Sequence, residues 1–223
     1  MVTAVWEKYR RARFDFYAWR YSLSVPRKLL LALGWACVVG LLAQARFYLP
    51  GTPVPVTGQT FGVLLAGVLL GRWWGGISLA IYAALGTAGI PWFSGWSSGI
   101  PIGPAGLACG GYIIGFIFAA LFMGHFTDKY VRSRSFFTML GLMLIANFAI
   151  IYPFGLAQLY YWLSFAGGQA IGFSTLLAMG FAPFVAGDVI KAAGVALIAR
   201  AITPKEAYNG EVDRGKWASW RIP

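Results

Sequence analysis

The chain has 223 residues, of which 59% are hydrophobic and 11% charged, against about 25% charged in an average soluble domain; its mean hydropathy is +0.67. A soluble fold of this size cannot hide that much apolar surface, so the chain reads as an integral membrane protein. At about 20 residues per span it has room for six or seven helices and no sizeable soluble domain. An ATP-hydrolysing engine must then come from another chain, in keeping with the lack of a GxxxxGK(S/T) sequence.

In chain order, residues 1–28 mix seven basic residues with Trp6, Tyr9, Phe14, Phe16, Tyr17, Trp19 and Tyr21. This reads as a cytoplasmic segment, most simply a surface helix on anionic lipid, with a partner-docking helix as the sharper alternative. The apolar run that follows lacks a small-residue cleavage site and is as long as a span, so a cleaved signal peptide is rejected. Residues 73–127 and 135–187 contain no Asp, Glu, Lys or Arg. Each run is about twice the length of one helix. The predicted helices are 29–48, 59–71, 73–90, 104–124, 136–160 and 174–200, and continuous rather than alternating apolar residues argue against a β-barrel.

The net charge of +11 suggests nucleic acid only until the basic residues are placed. With the N-terminus inside, the tail to Lys28, the turn at Arg72, the loop 125–135 and the C-terminal tail hold 16 of the 18 basic residues. The intervening loops 49–58, 91–103 and 161–173 hold none, as the positive-inside rule expects. The exceptions are Arg46 and Lys191. The expected organisation is a cytoplasmic segment 1–28, a six-helix membrane domain 29–202 with both termini inside, and a cytoplasmic tail 203–223, with lipid and not nucleic acid as surroundings.

Several features point to function. Pro50, Pro53 and Pro55 hold a loop extended; Val54 and Val56 give it a dry face, and Thr57, Gln59 and Thr60 place polar groups where a helix begins. The span to Gly71 is too short to cross alone, which points to a binding cavity, or else to an ordinary turn. The uncharged loop 89–104 offers Trp92 and Trp96 as an interfacial belt or as a lid. Asp188 and Lys191 lie three apart, on one helix face. Each costs about 2.5–3.5 kcal/mol near the membrane centre, so they face a cavity or each other. Asn147 reads as an interhelical hydrogen bond, and Ala32, Ala36 and Gly40 form a smooth strip for a close helix neighbour. Cys37 and Cys109 read as small buried hydrophobes. His125 is the only histidine, so no His-based triad or His metal cluster can be built. No catalytic residue, cofactor or metal is expected, and no filter-like sequence suggests a channel.

The runs GTPVPVTGQTFGVLLAGVLLG (51–71), IYAALGTAGIPWF (81–93), GPAGLACGGYIIGF (103–116) and FAPFVAGDVIKA (181–192) resemble the BioY family, the biotin-binding S-components of energy-coupling-factor (ECF) vitamin transporters. The resemblance implies a six-helix fold with both termini inside the plasma membrane. It implies biotin held in an outward-facing cavity built from the first loop and helices four to six. It also implies toppling of the subunit by a transmembrane scaffold subunit and two cytoplasmic ATPases. The family's Asp-x-x-Lys falls on Asp188 and Lys191, its Pro-Val-Thr-Gly-Gln loop within Val54 to Thr60, and its docking strip on Ala32 and Ala36, which Gly40 extends. The family's GPTGGY form departs here to GPAGLACGGY, with Ala105 in the Thr position and extra residues before Gly111 and Tyr112.

The chemistry suits that ligand. Biotin carries a ureido ring with two N–H donors and a carbonyl, an apolar thiophane and chain, and a carboxylate. Asp188 suits the N–H edge, Lys191 suits the carbonyl or fixes Asp188, and Tyr82, Trp92 and Phe93 are expected to pack on the bicyclic ring. Charge-assisted bonds of about 1.5–3 kcal/mol each would discriminate against vitamins lacking the ureido group. The expected function is therefore biotin binding for import, without catalysis. The alternatives are an S-component for another vitamin, a biotin transporter working without the ATPases, an intramembrane enzyme, or a structural scaffold in which the ion pair has no ligand.

Overall fold

The structure is a computed structural model that describes residues 2–166, 168 and 171–214. Residues 167, 169 and 170 of the predicted 161–173 loop and the tail beyond 214 therefore lie outside the described residues. The long elements are all helices: α1 (Val2–Ser22), α2 (Val25–Leu42), α3 (Gln59–Leu70), α4 (Arg72–Thr87), α5 (Gly110–Lys129), α6 (Phe136–Ile145), α7 (Tyr152–Ala166), α8 (Phe173–Gly180) and α9 (Val185–Ile202). Among the described residues, Val25–Leu42, Gly110–Lys129, Phe136–Phe165 and Phe173–Ile202 are long and apolar enough to cross a membrane. Helix α3 is apolar but has only 12 residues.

Three predicted boundaries move, each for a local reason. The first helix stops at Leu42 rather than at 48, because β1 (Arg46–Tyr48) turns to pair antiparallel with β2 (Pro55–Thr57), Arg46 opposite Thr57. The fourth starts at Gly110 rather than 104. The preceding loop is pinned by buried Gln158, which accepts the Gly103 N–H at 3.1 Å and donates to the Gly103 carbonyl at 3.0 Å. The sixth is broken between α8 and α9 at Phe181–Phe184, where Pro183 cannot continue an α-helical ladder. Helices α6 and α7 are one apolar stretch joined through a π turn, Ala146–Ile151.

Helix α5 lies at the centre, packed against α3, α4 and α7. Val63, Leu64, Leu79, Met123, Met139, Met143 and Ile151 are buried around it. The turn between α3 and α4 needs glycine: Gly71 has φ +81°, and a Cβ there would come within 2.5 Å of the Asp128 carboxylate. That carboxylate accepts the Arg72 N–H at 2.9 Å.

The strip read as a scaffold-docking face is internal. Ala32 and Ala36 have no exposed surface, and a Cβ on Gly40 would meet the Trp92 side chain at 3.2 Å. Its small residues admit α4 and the loop after it, while Leu30, Leu33, Val38 and Leu41 form the exposed side of α2. Cys37 is likewise exposed rather than buried.

Helix α1 is not simply a basic surface helix. Arg13 donates to the Ala201 and Thr203 carbonyls at the end of α9, and Arg20 to the Val68 and Leu69 carbonyls at the end of α3. Arg20 also pairs with Asp128 at 2.7 Å, and Arg10 with Glu206 at 2.6 Å. About a quarter turn round the helix from those arginines, Val5, Ala12, Phe16 and Trp19 share an exposed apolar edge. A second buried pair, Arg134 with Glu211, holds the segment after α9 against the turn after α5. Thus α1, the Gly71–Arg72 turn, the 130–135 turn and residues 203–214 meet at one end of the bundle.

Candidate functional site

The opposite end holds a cavity where the N-termini of α3, α5 and α9 converge. Its walls come from the β2 strand and the residue before it (Val54–Thr57), from Gln59 and Thr60 at the start of α3, and from Cys109, Tyr112, Ile113 and Phe116 of the α5 entry. Asn147 and Ile151 from the π turn, Tyr152 at the start of α7, Ser94, Phe184, and Asp188 with Lys191 complete it. The free space enclosed is about 60 Å³, room for only a few waters. The hairpin over it is held by the Thr52 hydroxyl, which donates to the Met179 carbonyl at 2.6 Å.

The break before α9 places the acid. Asp188 lies in the first turn of α9, where the positive end of the helix dipole favours an anion. Lys191 Nζ lies 2.6 Å from Asp188 Oδ1 and also donates to the Thr57 carbonyl (3.3 Å) and Thr60 Oγ1 (3.2 Å). The other carboxylate oxygen accepts from Tyr152 Oη at 2.6 Å and from Asn147 Nδ2 at 2.9 Å. The pair neutralises itself and faces a cavity, so the two sequence readings hold together.

The π turn explains why both Asn147 and Tyr152 reach one oxygen. Residues five apart stand about 140° apart on an ordinary helix, but a turn closed by an i→i+5 bond brings them to one side. The Tyr152 N–H donates to the Asn147 carbonyl, which is that bond. Asn147 is thus an interhelical hydrogen-bond donor, as its position suggested, and also part of the cavity wall. Its Oδ1 is buried with no hydrogen-bond partner among the described residues, as is Ser94 Oγ.

Of the nine residues expected to bind ligand, six line the cavity: Val54, Val56, Thr57, Gln59, Asp188 and Lys191. Tyr82, Trp92 and Phe93 do not. They form a buried aromatic cluster one layer behind, with Tyr82 centred 5.2 Å from each of the other two rings. Gln59 Nε2 donates to the Tyr82 hydroxyl at 2.9 Å, which donates to the Trp92 carbonyl at 3.1 Å, and Trp92 Nε1 returns a bond to the Tyr82 carbonyl at 2.9 Å. Their role here is to hold Gln59 rather than to form a wall. Trp92 is buried, so of the two loop tryptophans only Trp96, 63% exposed, stands at the surface.

Sequence reasoning missed Tyr112, Phe116, Ile113, Tyr152 and Phe184 as wall residues. Tyr112 stood in the GGY run, and its hydroxyl bonds the Gly180 carbonyl at 2.7 Å, tying α5 to the end of α8. Nothing in the local pattern marked the π turn. Arg46, the exception outside the basic side, bonds the Tyr48 hydroxyl at 3.2 Å and lies against Gly95, next to the cavity-lining Ser94. Gly95 has φ +79°, and its missing side chain leaves the space that the guanidinium fills.

Residues 14–207 match the BioY family. The chain is 49% identical over 161 residues to the "Probable biotin transporter BioY" of Methanothermobacter thermautotrophicus, covering 71% of this chain and all of that protein. It is 34% identical over 188 residues to the "Biotin transporter BioY" of Rhizobium etli, covering 81% and 94%. Among solved structures it is similar to the S-component for biotin from an ECF-type ABC transporter, with a TM-score of 0.66 and 26% identity over 80% of this chain and 93% of the other.

Proposed function

The chain belongs to the BioY family, and from that premise we propose that it is the biotin-binding membrane subunit of an ECF-type vitamin importer, with no catalysis of its own. The observation that supports this reading is the split character of the cavity. One end gathers Asp188, Lys191, Asn147 and Tyr152, and the walls beyond are Val54, Val56, Ile113, Phe116, Ile151 and Phe184. Biotin is divided the same way, with a compact polar ureido ring fused to an apolar body.

In the bound state the ureido N–H edge meets the acceptors at Asp188. The ureido carbonyl takes a hydrogen from Lys191, whose bond to the Thr57 carbonyl is long at 3.3 Å and easily exchanged. The thiophane lies on the valines and aromatics. The carboxylate is directed toward Arg46, the basic residue beside Gly95. The Thr52–Met179 and Lys191–Thr57 bonds hold the hairpin at the cavity, and ligand binding is expected to loosen them.

The topology belongs to the same reading: six crossings, counting α3 and α4 as short ones, with both tails in the cytoplasm and the cavity facing out. It is supported by the meeting of the basic segments at the α1 end, opposite the cavity. Scaffold and ATPases couple from the cytoplasmic side. The test is equilibrium binding of the purified protein in nanodiscs to a panel of water-soluble vitamins. Biotin should bind tightly and raise the unfolding temperature, by the equivalent of about 2.7 kcal/mol at a hundredfold excess over Kd. Tighter binding of another vitamin would overturn the reading.

A further inference from the structure

A carboxylate only accepts hydrogen bonds. Asn147 lies 2.9 Å from Asp188 Oδ2 through its amide nitrogen, and that assignment is forced: the flipped amide would set one acceptor against another. The amide oxygen must then point away from Asp188. Asn147 is 1% exposed, lines the cavity, and its Oδ1 has no partner among the described residues. An acceptor buried without a partner is costly, and one held at the cavity wall by a neighbouring ion pair is fixed in direction. The second unpartnered oxygen in the wall, Ser94 Oγ, is a hydroxyl that can rotate to donate or accept, so it selects nothing by itself. Asn147 Oδ1 has no such freedom.

We propose that Asn147 is a specificity residue whose side-chain carbonyl, turned away from Asp188 at the cavity wall, accepts one of the two ring N–H groups once the ligand occupies the cavity. This rests on the biotin reading above. The ion pair then has two effects on recognition: Asp188 offers its own remaining lone pair to one N–H, and it locks the Asn147 amide so that only a donor is welcome at the second position. A ligand with an acceptor or a methyl group there would face a carbonyl that cannot turn.

The test uses biotin and its two mono-N-methylated ureido isomers, with affinities measured for the wild type, Asn147→Leu and Tyr152→Phe. Tyr152 is the control for a role exerted only through Asp188, because it also donates to Asp188 Oδ2. The wild type should bind both methyl isomers at least tenfold more weakly than biotin. Asn147→Leu should bind biotin at least tenfold more weakly, and the isomer methylated at the nitrogen that faces residue 147 should lose its penalty relative to biotin, so that the isomer ratio changes several-fold. Tyr152→Phe should weaken all three ligands by similar factors and keep the wild-type ratio. The same isomer ratio in Asn147→Leu as in Tyr152→Phe would show that Asn147 acts only through Asp188, and the proposal would fall.

A measurement on the wild type covers a variant that does not fold. The chain has two asparagines, Asn147 and Asn209, and Asn209 lies at the α1 end. Protein labelled with 13Cγ-asparagine and bound to 15N-ureido biotin should give one nitrogen–carbon dipolar contact in solid-state NMR. Bound biotin without that contact refutes the inference while leaving the function reading intact. Failure of the wild type to bind biotin at all overturns both.

Discussion

Replacing both members of the Asp188–Lys191 pair separates its structural from its recognition role. Lys191→Met keeps most of the side-chain stem but leaves a carboxylate only 8% exposed with two neutral donors, Asn147 and Tyr152. Breaking a buried pair costs 3–5 kcal/mol; Lys191 is 22% exposed, so water softens the loss to about 3 kcal/mol, the lower end of that range. Asp188→Asn leaves the ammonium with the Thr57 carbonyl and Thr60. It also frees Asn147 to turn, because an amide at 188 can donate as well as accept. The double variant Asp188→Asn/Lys191→Met carries no unpaired charge and nearly the same volume, so its stability should return to within about 1 kcal/mol of wild type. Its affinity for biotin should not return. The charged acceptor is gone and Asn147 is no longer locked, so binding should stay at least tenfold weaker, about 1.4 kcal/mol. Denaturant unfolding and titration calorimetry on the four proteins measure both quantities. A double variant that is well folded and binds biotin with near-normal affinity would refute the assignment of the pair to recognition.

Ala36→Leu should destabilise the isolated subunit by about 1–3 kcal/mol through overpacking, since Ala36 has no exposed surface; biotin binding and uptake should fall together, whereas a docking face for another subunit would lose uptake alone. With Cys37 and Cys109 removed, cysteines introduced at Ile100 and Lys205, both exposed, should label on opposite sides of intact cells with an impermeant thiol reagent, Ile100 from outside. At the α1 end of the bundle, burial pushes the Glu211 carboxyl up, but the Arg134 guanidinium and the Asn209 and Tyr208 N–H groups outweigh it and hold the pKa below the ordinary range. A depressed carboxyl pKa gives stability that is present above the unfolded value of about 4.3 and lost as pH falls through the folded value. The stability difference between wild type and Glu211→Gln should therefore be constant near neutrality and shrink below about pH 4; a difference independent of pH would show that the pair contributes nothing through charge.

The sequence made the polar contacts legible where a charge had nowhere else to go. Asp188 and Lys191 stood out because ions are costly at that depth, and the short span before Gly71 stood out because 12 residues are too few to cross a membrane alone. The strip on α2 misled for a physical reason. Small residues at i, i+4, i+8 encode a close approach but not by which neighbour, and here it is this chain's own Trp92 and α4. The aromatic residues after α4 misled in the same way. Their composition fits a ligand face, yet the bonds from Gln59 through Tyr82 to Trp92 set them one layer back. The π turn was invisible, because inserting one residue into a helical turn changes no periodicity that a run of apolar residues would show. It is nonetheless what brings Asn147 and Tyr152 to the same oxygen.

The placement of charge along the bundle follows one rule at both ends. Helices α3 and α9 begin at the cavity and end at α1, so their dipoles present positive ends to the cavity and negative ends to the opposite face. The acid of the site, Asp188, lies at the start of α9, where an anion is favoured. Two arginines of α1, Arg13 and Arg20, donate to the last carbonyls of α9 and α3, where cations are favoured and where those carbonyls have no partner within their own helix. The same arginines count toward the basic excess on which the proposed topology rests, so part of that excess is helix capping. Arg20 is 5% exposed, so it serves as a cap within the fold rather than as a free surface charge, whereas Val5, Phe16 and Trp19 of α1 remain exposed.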